Sequence, residues 1–270
     1  MKLYNDMHVH TASSPDAELS ASALCKIACS VPVGRIGFVA HLDMHPLDFC
    51  YGGFDEKRYL KELDNASAAG GPEVLRGLEI GEPHVYWDEA SKLFHLKEYD
   101  FITGALHWLK NDLVLEESCF DNRNDPLELV EEYYREIRKM VSVADVDILA
   151  HMGIFRRGMV RAGLSTDFDE TALFPEILRE IFTAMLDRGI VLEVNTAGLR
   201  RPEKTTYPSP PVIALYRSIG GTAVTLGSDS HRKENAFFGL SAGARLLTEQ
   251  GFTEAGFFRQ RVYSGSPLQC

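Results

Sequence analysis

The chain of 270 residues is 45% hydrophobic and 25% charged, which suffices for one large α/β core or two small ones. Its formal net charge of −11 repels phosphate backbones, so the composition disfavours nucleic-acid binding without excluding a small phosphorylated substrate. The N-terminus lacks an apolar signal core and no apolar run reaches the roughly 18–20 residues of a membrane span, so we expect a cytoplasmic protein without a membrane segment.

Short apolar, β-branched runs alternate along the chain with longer amphipathic runs. Seven of them are typical of strands, at 2–9, 35–42, 73–80, 101–108, 146–152, 189–195 and 221–229. The runs typical of helices lie at 16–30, 55–69, 125–144, 174–189, 209–221 and 237–251. Asp125 is expected to cap the third helix, with Pro126 at its first position, and Gly189 is expected to end the fourth.

This alternation predicts parallel strands joined by helices. About seven such units favour a nearly closed barrel over an open sheet, and no GxGxxG follows the first strand to support a dinucleotide-binding fold. We see no linker or internal repeat, so residues 1–270 are interpreted as a single domain.

Polar side chains follow the predicted strands at the point where each strand ends. They are His8, His10, His41, Glu79, His107, His151, Glu193, Asn195, Asp229 and His231. A lone histidine in such a position is more often a hydrogen-bonded core residue. Here, however, six of the nine histidines share this position, and residues two apart, such as His8 and His10, project from the same face of a strand. Because the carboxyl ends of parallel strands meet at one rim, we expect these side chains to converge there.

Imidazoles and carboxylates without a thiolate form a ligand set that suits zinc, manganese or iron. The candidates are too numerous for one tetrahedral ion and predict two or three divalent ions that share bridging carboxylates. Such ions lower the pKa of bound water and stabilise in-line displacement at phosphorus. Two arginine pairs, Arg156–Arg157 and Arg200–Arg201, follow candidate strands and could bind a phosphate group bidentately.

Several segments, in order, resemble motifs of the PHP (polymerase and histidinol phosphatase) metallophosphoesterases. They are DMHVHT with Asp16, AHLD, GLEIGEP, GALHW, AHMG and LGSDSH. The segment LEVNTAGLRRPEKTTYPSP, at 192–210, is similar to the histidinol-phosphate phosphatase branch of that family. The resemblance implies a distorted (β/α)7 barrel with a trinuclear metal site at the C-terminal ends of its strands.

The resemblance also implies roles for individual residues. The implied metal ligands are His8, His10, Asp16, His41, Glu79, His107, His151, Asp229 and His231, with His84 as a further candidate. The implied catalytic set is Asp229, His231 and Arg200, and the implied phosphate-binding set is Arg200 with Arg156, Arg157 and Arg161. Asp6 is expected to orient an imidazole, Asn195 to contact the site or the substrate, and His45 to lie on the surface.

The implied activity is metal-dependent hydrolysis of a phosphate monoester, with L-histidinol phosphate as the expected substrate and a metal-bridging hydroxide as the nucleophile. One alternative keeps the fold and acts on nucleotides or short oligonucleotides. A second is an amidohydrolase-like barrel that cleaves a C–N bond, but such barrels usually have a lysine where this chain has His107. A third is a non-catalytic module with a decayed metal site. The sequence leaves the oligomeric state open.

Overall fold

The computed structural model describes residues 4–121 and 125–268, so residues 2 and 3 of the first predicted strand lie outside it. The strands of the described ranges are β1 (Tyr4–His10), β2 (Val33–Val39), β3 (His41–Leu42), β4 (Glu73–Gly81), β5 (Phe101–Ala105), β6 (Trp108–Leu109), β7 (Asp112–Leu113), β8 (Ile148–Leu149), β9 (Val191–Asn195), β10 (Val224–Gly227), β11 (Phe257–Arg259) and β12 (Val262–Ser264). All seven predicted strands are present, the second divided into β2 and β3.

The main sheet is parallel and curls into a barrel. Its strands are hydrogen-bonded in the order β1-β2-β4-β5-β8-β9-β10, and β3 also pairs with β4. The two ends of the sheet meet just beyond β10, where the His10 amide donates to the Ser230 carbonyl (3.0 Å) and the Asp229 amide donates to the His8 carbonyl (2.8 Å). This contact brings the sheet nearly to closure and confirms the predicted α/β barrel of seven parallel strands.

Helices surround the sheet. Their bounds are α1 (Ala21–Ala28), α2 (Glu56–Ala68), α3 (Pro83–Leu93), α4 (Pro126–Val143), α5 (Arg156–Arg161), α6 (Glu170–Leu173), α7 (Pro175–Arg188), α8 (Pro210–Ser218) and α9 (Leu240–Glu249). The side chain of Asp125 caps α4 by accepting from the Leu127 amide, and Gly189 ends α7 in the left-handed region at φ 71°, so both predicted helix boundaries are confirmed. Within the described residues, every helix is too short or too polar to cross a membrane.

The barrel interior is apolar at one end only. Met7, Leu75 and Phe101 of the barrel strands pack there with Phe257 and Phe258 of β11, which pairs with β12 in an antiparallel hairpin. The larger apolar cluster lies between the sheet and the surrounding helices. Because the hairpin covers the amino-terminal ends of the strands, the carboxyl ends are left for polar side chains.

Candidate metal centre

Glu79, near the end of β4, lies at the centre of the buried polar cluster at the carboxyl ends of the strands. Its side chain is almost completely buried. Ring nitrogens of five imidazoles lie between 2.8 and 3.6 Å from its carboxylate oxygens; they belong to His8, His10, His41, His107 and His151. The strands β1 and β3 and the ends of β5 and β8 therefore all point an imidazole at one carboxylate of β4.

Three overlapping groups in this cluster could each hold a metal ion. They are His8, His10 and Glu79; Glu79, His107 and His151; and His10, His41 and His231. In each group the candidate ligand atoms lie within 4.8 Å of one another. Two pairs of imidazole nitrogens face each other directly, His8 Nε2 with His10 Nε2 at 3.1 Å and His41 Nε2 with His231 Nε2 at 3.4 Å.

Buried polar atoms without a hydrogen bond test whether these residues suit metal ions. Oε2 of Glu79 and the Nδ1 atoms of His41 and His151 are buried and make no hydrogen bond in the structure. Leaving a buried polar atom unsatisfied costs roughly 1–3 kcal/mol. Buried imidazole and carboxylate atoms without a hydrogen bond form a donor set that fits divalent cations.

Asp16 and Asp229 complete the cluster on the side of β1 and β10. Asp16, in the loop after β1, has its carboxylate oxygens 3.2 Å from His231 Nε2 and 3.7 Å from His41 Nε2. Asp229 Oδ1 lies 3.4 Å from His231 Nδ1 and 3.8 Å from His10 Nε2. Asp229 adopts the left-handed region at φ 52°, a strained backbone conformation that is common at functional sites.

Two carboxylates to which the sequence analysis gave no role, Glu193 at the rim and Asp43, orient imidazoles of the site. The Nδ1–H of His8 donates to Glu193 Oε1 at 2.8 Å, and the Nδ1–H of His107 donates to Asp43 Oδ1 at 2.9 Å. Each bond fixes the ring and leaves Nε2 directed at Glu79. The available signals were the position of Glu193 on the sixth predicted strand and of Asp43 two residues after His41 in AHLD.

Asp6 does not orient an imidazole as expected, whereas Asn195 contacts the site through Glu193. Asp6 Oδ1 accepts from the backbone amides of His8 (3.3 Å) and Ser228 (2.9 Å), so it ties β1 to the end of β10 instead of orienting an imidazole. Asn195 donates to Glu193 Oε2 at 3.2 Å and therefore supports the partner of His8 rather than lining the cavity.

Gly227 makes room for the contact between His8 and Glu193. A Cβ atom at this position would lie 2.1 Å from Glu193 Oε1 and 2.7 Å from His8 Cβ. No side chain larger than hydrogen fits there without moving the oriented pair.

At neutral pH the Glu79 carboxylate of the cluster is ionised, whereas the His10 imidazole is neutral. Burial opposes ionisation of Glu79, but the surrounding imidazoles, His8 foremost, outweigh it and hold the pKa of Glu79 well below its usual range. Burial also opposes the charge on His8, yet Glu193 and Glu79 raise the pKa of His8 well above its usual value. Burial together with His231 and His41 lowers the pKa of His10 to about 3. His10 therefore offers a free lone pair at neutral pH.

The candidate ligand His84 and a further histidine, His45, lie outside this cluster. His84 is on α3, and its Nε2 lies 3.2 Å from Glu136 of α4, so the structure does not bring it to Glu79. His45 is buried, contrary to expectation, because its ring stacks on Trp108 at 4.3 Å and its Nε2–H donates to the Lys110 carbonyl at 2.7 Å.

A cavity of about 250 Å³ opens next to the cluster and is partly lined by arginines. Four of them face it: Arg157, Arg200, Arg201 and Arg232. Arg157 Nη2 lies 3.3 Å from Asp229 Oδ2, and Arg200 donates to the backbone carbonyls of Ser228 (2.7 Å) and Asp229 (2.8 Å). Positive charge is thus concentrated at one side of the centre in a chain of net charge −11.

Two arginines from the expected phosphate-binding set do not line this cavity. Arg156 is buried and forms an ion pair with Glu170 at 2.6 Å. Arg161 pairs with Glu116 and donates to the Leu115 carbonyl at 3.0 Å. Because successive residues of a helix point about 100° apart, α5 can direct Arg157 to the cavity while Arg156 faces the core.

Comparisons with known proteins agree with this fold. A family model described as the PHP domain matches residues 6–197. The chain is 26% identical over 260 residues to a probable histidinol-phosphatase of Clostridium acetobutylicum, covering 95% of this chain and 97% of that protein. It is 24% identical over 258 residues to a histidinol-phosphatase of Lactococcus lactis, covering 94% and 93%. A crystal structure of histidinol phosphate phosphatase from Lactococcus lactis, complexed with zinc, L-histidinol and phosphate, superposes with a TM-score of 0.81 at 21% identity, covering 98% of this chain and 100% of that one.

Proposed function

The chain belongs to the PHP domain family, and we propose that it is a metal-dependent phosphomonoesterase that hydrolyses L-histidinol phosphate to L-histidinol and phosphate. The observation that carries this function is the Glu79 carboxylate among five imidazoles beside a cavity lined by arginines. The curated relatives named histidinol-phosphatase, which match more than nine-tenths of the chain, support the choice of substrate. The family model ends at 197, before Asp229 and His231, and we propose that residues 1–270 act as one domain.

We propose that two or three divalent ions, zinc, manganese or iron, occupy the centre. The ligands would be His8, His10, Asp16, His41, Glu79, His107, His151, Asp229 and His231. Such ions supply a hydroxide nucleophile at neutral pH and neutralise charge on phosphate oxygens. Asp43 and Glu193 hold the rings of His107 and His8 for this purpose.

The residues of the chain itself bind and orient the reactants. The guanidinium groups of Arg157, Arg200 and Arg201 would bind phosphate oxygens, while the contacts of Arg200 with the Ser228 and Asp229 carbonyls fix the loop after β10. Burial favours the neutral form of Asp229, but His8, His231 and Arg157 lower its pKa, so the carboxyl group stays ionised. The Asp229 carboxylate can therefore orient an attacking water by accepting a hydrogen bond from it. His231 lies on the cavity wall beside it and belongs to the proposed catalytic set.

Substrate choice is tested by comparing rates on three phosphate esters. Purified, metal-loaded enzyme is expected to hydrolyse L-histidinol phosphate with a kcat/KM at least about 100-fold above that for AMP or a short oligonucleotide, because the small cavity and acidic surface disfavour larger polyanions. A higher kcat/KM on AMP or the oligonucleotide would instead favour the nucleotide-directed activity. Turnover of all three at the rate of metal-stripped protein would contradict a phosphatase function altogether.

The arginines of α5 provide a matched test of phosphate binding. Arg157→Gln is expected to lower kcat/KM by about 10- to 100-fold, because a hydrogen bond between charged groups contributes roughly 1.5–3 kcal/mol. Arg161→Gln, four residues along the same helix, removes an arginine that faces Glu116 instead of the cavity and is expected to change kcat/KM less than about threefold. Steady-state kinetics and the inhibition constant of inorganic phosphate measure both variants. Equal losses of kcat/KM in the two variants would show that these arginines act only by stabilising α5.

A further inference from the structure

We propose that Asp48 is the residue that selects substrates carrying a positive charge, by binding the ammonium or imidazolium group of the substrate in the cavity that receives its phosphate. This inference rests on the proposed phosphatase function and extends it to the recognition of the non-phosphate part. It follows from how charge is distributed around the cavity and from how the Asp48 carboxylate is held.

The loops around the cavity bring different kinds of side chain to it. The loops after β8, β9 and β10, which are neighbours in the sheet, bring the arginines to the cavity: Arg157, Arg200, Arg201 and Arg232. The segments after β3 and β5 bring Asp48, Phe49, Leu113 and Leu115 to the same cavity. A substrate bound in this cavity with its phosphate against the arginines can therefore also contact Asp48.

The Asp48 carboxylate is fixed in place before any substrate arrives. It is nine-tenths buried, Oδ1 accepts from the Cys50 amide at 2.7 Å, and Oδ2 accepts from the Trp108 indole N–H at 2.8 Å. Trp108 is in turn stacked on His45. Because each carboxylate oxygen can accept two hydrogen bonds, one position on each oxygen remains for a ligand.

No cationic side chain of residues 4–121 or 125–268 forms an ion pair with Asp48. The neighbouring carboxylate of Asp43, by contrast, is flanked by His107 and His41. A carboxylate atom of Asp48 lies within 4.8 Å of one of Asp43, so two acidic side chains stand together here and the imidazoles pair with only one of them. A buried, uncompensated carboxylate at a cavity wall fits a cationic ligand.

The rest of this wall suits a small ring attached to that cation. Leu113 and Leu115 supply apolar surface to the same cavity. Phe49 lines the cavity although its side chain is 68% exposed, so it stands at the mouth where a ring could stack against it. L-histidinol, with an amine and an imidazole, has the chemistry that this wall would recognise.

The test compares one cationic and one uncharged phosphate ester in metal-loaded, full-length enzyme. Asp48→Asn is expected to lower kcat/KM for L-histidinol phosphate about 10- to 100-fold, mainly through KM, and to change kcat/KM for 4-nitrophenyl phosphate by less than about twofold. Competitive inhibition by L-histidinol should weaken about tenfold, whereas inhibition by inorganic phosphate stays unchanged. The rise in Tm that L-histidinol gives the wild-type protein should shrink in the variant as well.

Two further variants separate charge from structure. Trp108→Phe keeps the carboxylate but removes one of its hydrogen bonds and is expected to lose less of the selectivity than Asp48→Asn. Asp121→Asn, at an exposed carboxylate, should match the wild type. Equal losses on both esters, or an unchanged L-histidinol inhibition constant in Asp48→Asn, would overturn the inference while leaving the phosphatase function standing. A wild-type enzyme with no preference for L-histidinol phosphate over 4-nitrophenyl phosphate would contradict the proposed function first, and the inference with it.

Discussion

Replacing Glu79 with glutamine is expected to lower kcat/KM on L-histidinol phosphate by at least about 10³-fold, or roughly 4 kcal/mol of transition-state stabilisation. The substitution keeps the size of the side chain but removes the negative charge that five imidazoles face. Two of the three candidate metal groups contain Glu79, so both lose their carboxylate at once. Elemental analysis of the purified variant should show fewer bound ions per chain than the wild type.

The other end of the same strand supplies a matched control. Glu73 begins β4 and pairs with Arg35 (2.9 Å) and Arg259 on the far side of the barrel. Glu73→Gln is expected to keep wild-type metal content and kcat/KM, and to lower the free energy of unfolding by no more than about 1 kcal/mol, because partly exposed ion pairs contribute little. A Glu79→Gln variant that retains both its metal and its rate would contradict the role proposed for the centre.

The strands and the polar rim could be predicted from the sequence because both follow from local patterns. Parallel strands buried on both faces read as short apolar runs, and the run before each histidine or carboxylate told where the strand would end. His8 and His10 share a face because strand side chains alternate, and this alternation holds for any register of β1 with its neighbours. These polar side chains then come together at one rim of the barrel provided only that the strands are parallel.

Features that depend on packing between distant segments could not be predicted. A register shift between Asp6 and Val9 lets Met7 join the interior cluster while Val9 packs toward the helices. The helix α3 places His84 beside Glu136, yet few of its residues are buried, so no apolar face marked it in the sequence.

The same limit applies to the arginines and the orienting carboxylates. The rotation of α5 about its axis determines that Arg157 rather than Arg156 faces the cavity. The buried ion pair of Arg156 with Glu170 fixes this rotation. Likewise, the pairing of His107 with Asp43 joins residues 64 positions apart, which no local pattern reports.

The affinity of the centre for metal ions is expected to depend on pH, because nearby carboxylates favour the protonated form of several of its histidines. In the metal-free protein burial opposes the charge on His8, His41 and His107, but carboxylates, including Glu79, outweigh it and raise the pKa of each well above its usual value. A histidine with a raised pKa stabilises the fold below its unfolded pKa of about 6.5, and this contribution is lost as pH rises through the folded pKa. The metal-free protein should therefore lose stability as pH rises above about 6.5.

Metal ions bind only deprotonated imidazoles, so they should release protons when they bind, and their affinity should rise with pH by about tenfold per unit for each proton displaced. The difference in Tm between metal-loaded and metal-free protein is then expected to widen from about pH 6.5 to pH 8.5. Calorimetric titration in buffers of different ionisation enthalpy counts the protons. His107→Asn should release fewer, whereas His84→Asn, outside the cluster, should release as many as the wild type. Proton uptake on metal binding, or an equal decrease in the number of released protons in the two variants, would contradict this account of the centre.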